Sequence, residues 1–394
     1  MTAYQRNSAR ARAALARFLV AMSTAACATA PTARAAAPAG LASCLASTAE
    51  RDAFSGVISA VHQGQPVVSV ARGVRAGPGS PPITPLTRFN IGSASKMFTA
   101  VAVAQLVDAG KLKFDDPVGH SVSGLTPETA AVTIHQLLTH TSGLGDFFAP
   151  QNMEAMQNAR TASDLLPLIA SEKPQLPPGS RFRYSNSGFA LLGVLIERIS
   201  GQTYADYLRD HVFLPAGMTD TGADPEPLAT LAAGMTSRSP GGRPGDGGAP
   251  MGAGGALRPA PGATLHGSPA GGMFSTAVDL QRFATALWTN RLTSAASTAA
   301  LTSSKVIAAP ASASAPERAY GYGFGVRAEA GRRWVGHNGG TLGANAEFFM
   351  DPSAQWFVAV LSNRDPPSAT KMFEYLEELI VDPGKVATCG RQPP

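Results

Sequence analysis

The order of hydrophobic and polar positions changes character several times along these 394 residues, and each change predicts an element. Residues 44–54 carry the spacing of a short helix. Two apolar runs at 57–61 and 66–71, separated by His62-Gln63-Gly64-Gln65, predict a β-hairpin. From Ser95, apolar residues spaced three and four apart (Met97, Ala100, Val101, Leu106) run to a stop at Gly110, which predicts a helix with Ser93 at its beginning. From about 121 to 254 the patterns are mostly helical, at 133–140, 162–171, 186–200 and 203–212. There Leu192, Leu195, Ile196 and Ile199 mark one buried face. Glycine and proline dominate 239–262, a composition that builds no packed core and predicts a mobile loop. The final third reads as strands at 320–326, 333–335, 344–350 and 356–362, with 351–355 as the turn joining the last two, hence an antiparallel sheet. A closing helix at 368–380 places Met372, Tyr375, Leu376 and Leu379 on one side, suited to lying on that sheet.

Composition fits this picture: with 44% hydrophobic and 15% charged residues there is material for a large core and no sign of global disorder. The length suits one body of two interlocked lobes as well as two independent domains. Residues 1–37 stand apart, because Arg6, Arg10, Arg12 and Arg17 precede an uncharged run at 18–30 and then alanine-rich sequence. That order reads as a secretory signal peptide, with a basic mitochondrial-type or disordered leader as one alternative and lipidation at Cys27 as another. The apolar run is shorter than the ~20 residues of a membrane-spanning helix. Removing the leader takes away five arginines and no acids, so the formal charge of +5 falls to zero. No basic cluster survives to suggest a nucleic-acid partner. Cys44 and Cys389 then stand near the two mature ends, where an exported chain admits either one disulfide or two free thiols.

Three short stretches carry candidate chemistry. Ser93-Ala94-Ser95-Lys96 sets a hydroxyl and an amine three apart, on one face of a helix's first turn. Serine needs a neighbouring base, and lysine serves only when neutral, which desolvation by Met97, Phe98 and Val101 favours. Tyr184-Ser185-Asn186 offers a phenol to relay a proton and a carboxamide to orient a lysine or a substrate carbonyl; taken alone it is a surface turn with an Asn cap. Gly336-His337-Asn338-Gly339-Gly340 offers close backbone approach and N–H groups for an oxyanion; taken alone it is a glycine turn with an exposed histidine.

In this order and at these separations, the three stretches resemble the serine β-lactamase and penicillin-binding-protein superfamily, on the side of class C β-lactamases, D-Ala-D-Ala carboxypeptidases and family VIII esterases. Phe89-Asn90-Ile91-Gly92, the run from Leu137 to Leu144 (LLTHTSGL), the run from Phe213 to Met218 (FLPAGM) and the run from Ala270 to Thr276 (AGGMFST) extend the likeness over nearly the whole mature chain. The resemblance implies that Ser93 is the nucleophile, Lys96 its activating partner and Tyr184 the general base, with Asn186 binding substrate or Lys96. It aligns His337-Asn338-Gly339 with the usual Lys-Thr-Gly motif and implies an oxyanion hole from the N–H groups of Ser93 and Gly340. A histidine where typical β-lactamases offer a lysine holds a carboxylate less firmly, because it is mostly neutral near pH 7. Members with His-x-Gly include peptidases and esterases.

The expected architecture is thus α/β of the α+β type and β-lactamase/transpeptidase-like: an antiparallel sheet flanked by helices, from 38–120 and 255–394, joined to a mainly helical lobe at 121–254. The expected activity is that of an exported, periplasmic or secreted, serine hydrolase without metal or organic cofactor. It would act through an acyl-enzyme on a small ester or peptide-like amide, with β-lactams or D-Ala-D-Ala peptides as the neighbouring alternative. A non-catalytic binder of peptidoglycan fragments or penicillin is the competing class, which the proton-handling pair Lys96 and Tyr184 speaks against. His135 and His140 are five apart and lack a zinc-motif setting, so His140 reads as a holder of the Thr-Ser-Gly turn. No Gly-x-Ser-x-Gly elbow is present, and Gly321, Gly323 and Gly325 read as strand positions rather than a dinucleotide loop.

Overall fold

A computed structural model describes residues 37–238, 256–260, 266–312, 316–329 and 331–389. The leader up to 36, with Cys27, and most of the glycine- and proline-rich stretch lie outside the described residues. Among the described residues twelve strands occur in chain order: β1 (Gly56–His62), β2 (Gln65–Arg72), β3 (Phe89–Asn90), β4 (Met235–Thr236), β5 (Arg258–Pro259) and β6 (Phe274–Ser275). They continue with β7 (Val306–Ala309), β8 (Arg318–Tyr320), β9 (Gly325–Glu329), β10 (Arg332–Thr341), β11 (Ala344–Asp351) and β12 (Trp356–Ser362). Eight of them form one antiparallel sheet in the order β2-β1-β12-β11-β10-β9-β8-β7. The N-terminal hairpin therefore pairs with the last strand, joining the two ends of the chain in one sheet.

Both sheet faces are covered, which explains why β12 is an unbroken apolar run instead of an alternating one: all seven of its residues are buried. Ile58, Val358 and Val360 face one layer, where the helices Leu41–Arg51 and Ser368–Val381 supply Leu45, Phe373 and Leu376. Val57, Ala359 and Leu361 face the other layer and join the main core with the helices Lys96–Asp108, Asn186–Ser200 and Ala277–Trp288. The Lys96–Asp108 helix is buried nearly all round, as a helix at the centre of a molecule must be. Among the described residues no helix is long and apolar enough to cross a membrane. Cys44 and Cys389 are bonded to each other, with Cα atoms 5.5 Å apart.

Three expectations from the sequence are corrected. The run read as one strand at 320–326 is the end of β8, a turn, and the start of β9, because Gly323 takes a φ of 74° and turns the chain. The glycine-rich run 336–340 is no turn but the continuation of β10 as far as Thr341. Its glycines mark close backbone approaches: a Cβ on Gly336 would stand 2.0 Å from the Phe348 carbonyl oxygen. Within the presumed loop, Arg258 and Pro259 form β5 and pair with β4.

Candidate active site

Ser93 stands in a tight turn of 3-10 helix, Gly92–Ser95, that leads directly into the Lys96–Asp108 helix. The turn is held from within: the Asn90 side-chain oxygen accepts from the Gly92 N–H at 2.9 Å, and the Ser95 hydroxyl donates to the Gly92 carbonyl at 2.7 Å. This leaves Ser93 half-buried and sets its Oγ 3.3 Å from Lys96 Nζ. Lys96 is fully buried, and its amine also reaches Asn186 Oδ1 at 2.7 Å and the Ala270 carbonyl. Asn186 opens the Asn186–Ser200 helix, whose cap is Ser185: the Ser185 hydroxyl accepts from the Gly188 N–H.

These contacts assign the hydrogens on Lys96. The Asn186 and Ala270 oxygens are carbonyl oxygens and can only accept, so each takes one N–H. In the neutral amine the remaining direction is the lone pair, which then faces the Ser93 hydroxyl. Burial favours that neutral form, lowering the Lys96 pKa to about 7, against a weaker opposing pull from Asp146.

Tyr184 covers the amine, its ring centre 4.7 Å from Lys96 Nζ. Although 38% of Tyr184 is exposed, the protein around its hydroxyl pushes the phenol pKa well above its ordinary value, more strongly than a hydrogen bond with Ser93 lowers it. Behind the phenol lies His140, its ring centre 4.1 Å from that of Tyr184, at a residue with a φ of 57°. The Ser185 N–H donates to His140 Nδ1, so the histidine's proton is on Nε2 and points to the Tyr320 hydroxyl 3.2 Å away. Tyr320 then donates its own proton to His337 Nε2 at 2.8 Å, and His337 Nδ1–H donates to the Asn338 carbonyl. This one-way chain clamps the 140 turn, the 184–186 stretch and β10 together.

His337 is therefore not the exposed turn histidine expected from the isolated motif; it is 4% exposed. Burial first, and the nearby Lys96 charge second, bring its pKa down to about 3, so it is neutral. His140 is likewise held well below its usual range by burial. Asn338 and Gly340 are exposed on the β10 edge. Between them Gly339 is buried against the turn that carries Ser93, where a Cβ would stand 2.0 Å from the Ile91 carbonyl oxygen and 3.0 Å from the Ser93 nitrogen. The structure thus brings Ser93, Lys96, Tyr184, Asn186 and His337–Gly340 into one place, with Cys44 and Cys389 belonging to the opposite layer. Sequence reasoning missed Asp146, whose Oδ2 accepts from Asn186 Nδ2 at 2.9 Å, as well as Tyr320 and the Ala270 carbonyl. Only the LLTHTSGL and AGGMFST runs hinted that their neighbourhoods matter. Among the described residues no group of His, Cys, Asp and Glu is arranged to hold a metal ion.

Penicillin-binding protein 4* of Bacillus subtilis (strain 168) is 34% identical over 178 residues, spanning 44% of this chain and 38% of that protein. The putative penicillin-binding protein PbpX of the same organism is 33% identical over 169 residues, 43% of this chain and 41% of that protein. The matched stretch thus spans well under half the length of these curated relatives. A penicillin binding protein from Bacillus halodurans superposes with a TM-score of 0.74 at 29% identity, covering 85% of this chain and 98% of that one. D-amino acid amidase from Ochrobactrum anthropi SV3 superposes with a TM-score of 0.69 at 21% identity over 90% of this chain and 98% of that one, a likeness of fold alone. The sequence model of the family described as Beta-lactamase matches residues 41–380, and the chain belongs to that family, with the fold of the β-lactamase-type serine hydrolases.

Proposed function

We propose that this protein is an exported serine hydrolase that acylates Ser93 with a small ester or a peptide-like amide and releases the acyl group to water. The observation that carries this reading is a fully buried Lys96 amine, its pKa lowered to about 7 by burial, that meets two carbonyl oxygens and, in its third direction, the Ser93 hydroxyl. Lys96 takes the Ser93 proton as Oγ bonds to the substrate carbonyl carbon. The backbone N–H groups of Ser93 and Gly340 stabilise the resulting oxyanion. On collapse the bond to the leaving group breaks, and the proton travels from Lys96 to that group, with Tyr184 as its relay. Water then attacks the ester carbon, its proton follows the same path, and Ser93 leaves with its hydrogen. With its pKa pushed up, Tyr184 is a protonated relay near pH 7, so Lys96 rather than the phenolate is the resting base.

Export is supported by the arginine-then-apolar order of the leader and by the Cys44–Cys389 bond, which suits an oxidising compartment. The curated relatives named penicillin-binding proteins favour a second reading in which a β-lactam forms the lasting acyl group. Intact-mass spectrometry after mixing with a 4-nitrophenyl ester, a D-Ala-D-Ala peptide or penicillin distinguishes these. The hydrolase reading expects ester turnover with a transient adduct on Ser93 that the Ser93→Ala variant lacks. Equal turnover by wild type and Ser93→Ala would overturn it, and a lasting penicillin adduct without turnover of ester or peptide would transfer it to a binder.

A further inference from the structure

The oxyanion site proposed above depends on which way one peptide unit faces. β10 and β11 meet through the two-residue turn Leu342-Gly343, with Thr341 opposite Ala344. A turn of that length closes on a hydrogen-bonded pair, and such pairs alternate along an antiparallel ladder. Gly339, opposite Ala346, therefore turns its N–H and C=O toward β11, while Gly340, opposite Asn345, turns its own away from it. β9 pairs with β10 only as far as Gly336, so among the described residues no strand covers the side to which Gly340 turns. A Cβ on Gly92 would stand 2.8 Å from the Gly340 nitrogen, which puts that nitrogen beside the turn that carries Ser93.

The Gly339 C=O and the Gly340 N–H belong to one planar trans peptide and point in opposite directions, so whatever holds the oxygen aims the hydrogen. Asn345, buried in β11, donates from Nδ2 to the Gly339 oxygen at 3.1 Å. Its Oδ1 accepts from the Ala369 N–H at 2.7 Å and the Thr370 N–H at 3.1 Å. Those two donors settle which end of the carboxamide is oxygen and leave the NH2 to face Gly339. They are also the first N–H groups of the Ser368–Val381 helix, whose own N-cap, Pro367, brings no capping side chain. The Thr370 hydroxyl donates to Glu347 Oε1 at 2.7 Å, which pins the same helix start to β11 a second time. A donor on the Gly339 oxygen polarises the peptide as well as orienting it, and so strengthens its N–H as a donor.

We propose that Asn345 is a positioning residue for the reaction at Ser93: it locks the Gly339–Gly340 peptide with its N–H toward the acyl oxygen, and ties that orientation to the start of the Ser368–Val381 helix. This rests on the hydrolase reading above and extends its machinery through the sheet. The helix lies on the opposite face from the Lys96–Asp108 helix, so one carboxamide joins the outer layer to the oxyanion donor.

The test measures acylation of Ser93 by a 4-nitrophenyl ester and by its thionoester, in which a weakly accepting sulfur replaces the carbonyl oxygen. Wild type is compared with Asn345→Ala, Asn345→Ser and Leu376→Ala. Either Asn345 variant is expected to slow the ester about tenfold or more while the thionoester stays within about twofold, so that the ester-to-thionoester ratio falls. Leu376→Ala loosens the same helix without touching Gly339, and is expected to lower Tm and keep the wild-type ratio. A readout without any variant is the NMR signal of the Asn345 side-chain amide when a boronic acid forms a tetrahedral adduct on Ser93. It is expected to shift together with the Gly340 amide, because the two share one polarised peptide. Equal losses on ester and thionoester, a ratio that falls as far in Leu376→Ala, or an Asn345 signal that stays in place on adduct formation each overturn the inference and leave the hydrolase reading standing. Absence of any adduct on Ser93 with ester, thionoester and boronic acid would overturn the hydrolase reading and this inference with it.

Discussion

Tyr320 shows how much a single hydroxyl can organise. It receives the His140 proton and gives its own to His337, so removing it leaves one buried donor and one buried acceptor without partners. Tyr320→Phe keeps the ring packing and should cost about 1–3 kcal/mol per orphaned group, seen as a lower Tm. A purely structural role would end there. The chain described above predicts more: kcat/KM should fall by about tenfold or more as β10 loosens from the 184–186 stretch. Nitrogen NMR should find His337 protonated on Nδ1 in wild type and distributed over both nitrogens in the variant. An unchanged tautomer would show that His337 is fixed by burial alone.

At the scale of elements, the site depends on a strand pressed against a turn. Gly339 of β10 leaves no room for a methyl group, since the atoms it would meet, among them the Ile91 oxygen and the Ser93 nitrogen, belong to the backbone leading into the turn that carries Ser93. Gly339→Ala is therefore expected to slow acylation of Ser93 by about a hundredfold, the scale of an ångström-sized misplacement. Gly77→Ala, where a Cβ would meet nothing within 4 Å, should acylate at the wild-type rate. Stopped-flow acylation with a nitrophenyl ester measures both; an unimpaired Gly339→Ala would mean the turn is not set by β10. The same elements show what the sequence makes legible. The hairpin β1–β2, the Lys96–Asp108 helix and strands β11 and β12 all follow from hydrophobic spacing, because each buries a continuous face. The turn at Gly321–Phe324 is hidden because its alternating glycine and aromatic residues imitate a strand. The length of β10 is hidden because glycine signals a turn locally, while here it permits a long-range approach. Asp146 sits in an aperiodic loop, and the His140–Tyr320 contact joins residues 180 apart, so neither leaves a local pattern.

For the molecule as a whole, the lowered pKa of Lys96 is a product of assembly. The residue lies in the first turn of a helix buried on nearly every side, Tyr184 and Phe189 close over its amine, and residues 186 and 270 supply the two acceptors that use up its hydrogens. These segments come from remote parts of the chain, and the sheet that backs them unites strands from both of its ends. Their joint effect is desolvation, which lowers the amine from the lysine range to about 7. A base must be unprotonated to act, so activity belongs above that value and is lost below it. The most direct test is the pH dependence of Ser93 acylation by an ester with no titrating group. The predicted profile is flat above about pH 8 and falls about tenfold per pH unit below a single ionisation near 7. A rate that holds steady down to pH 5, or one that begins to rise only near the ordinary lysine value of 10.5, would contradict a neutral Lys96 as the base.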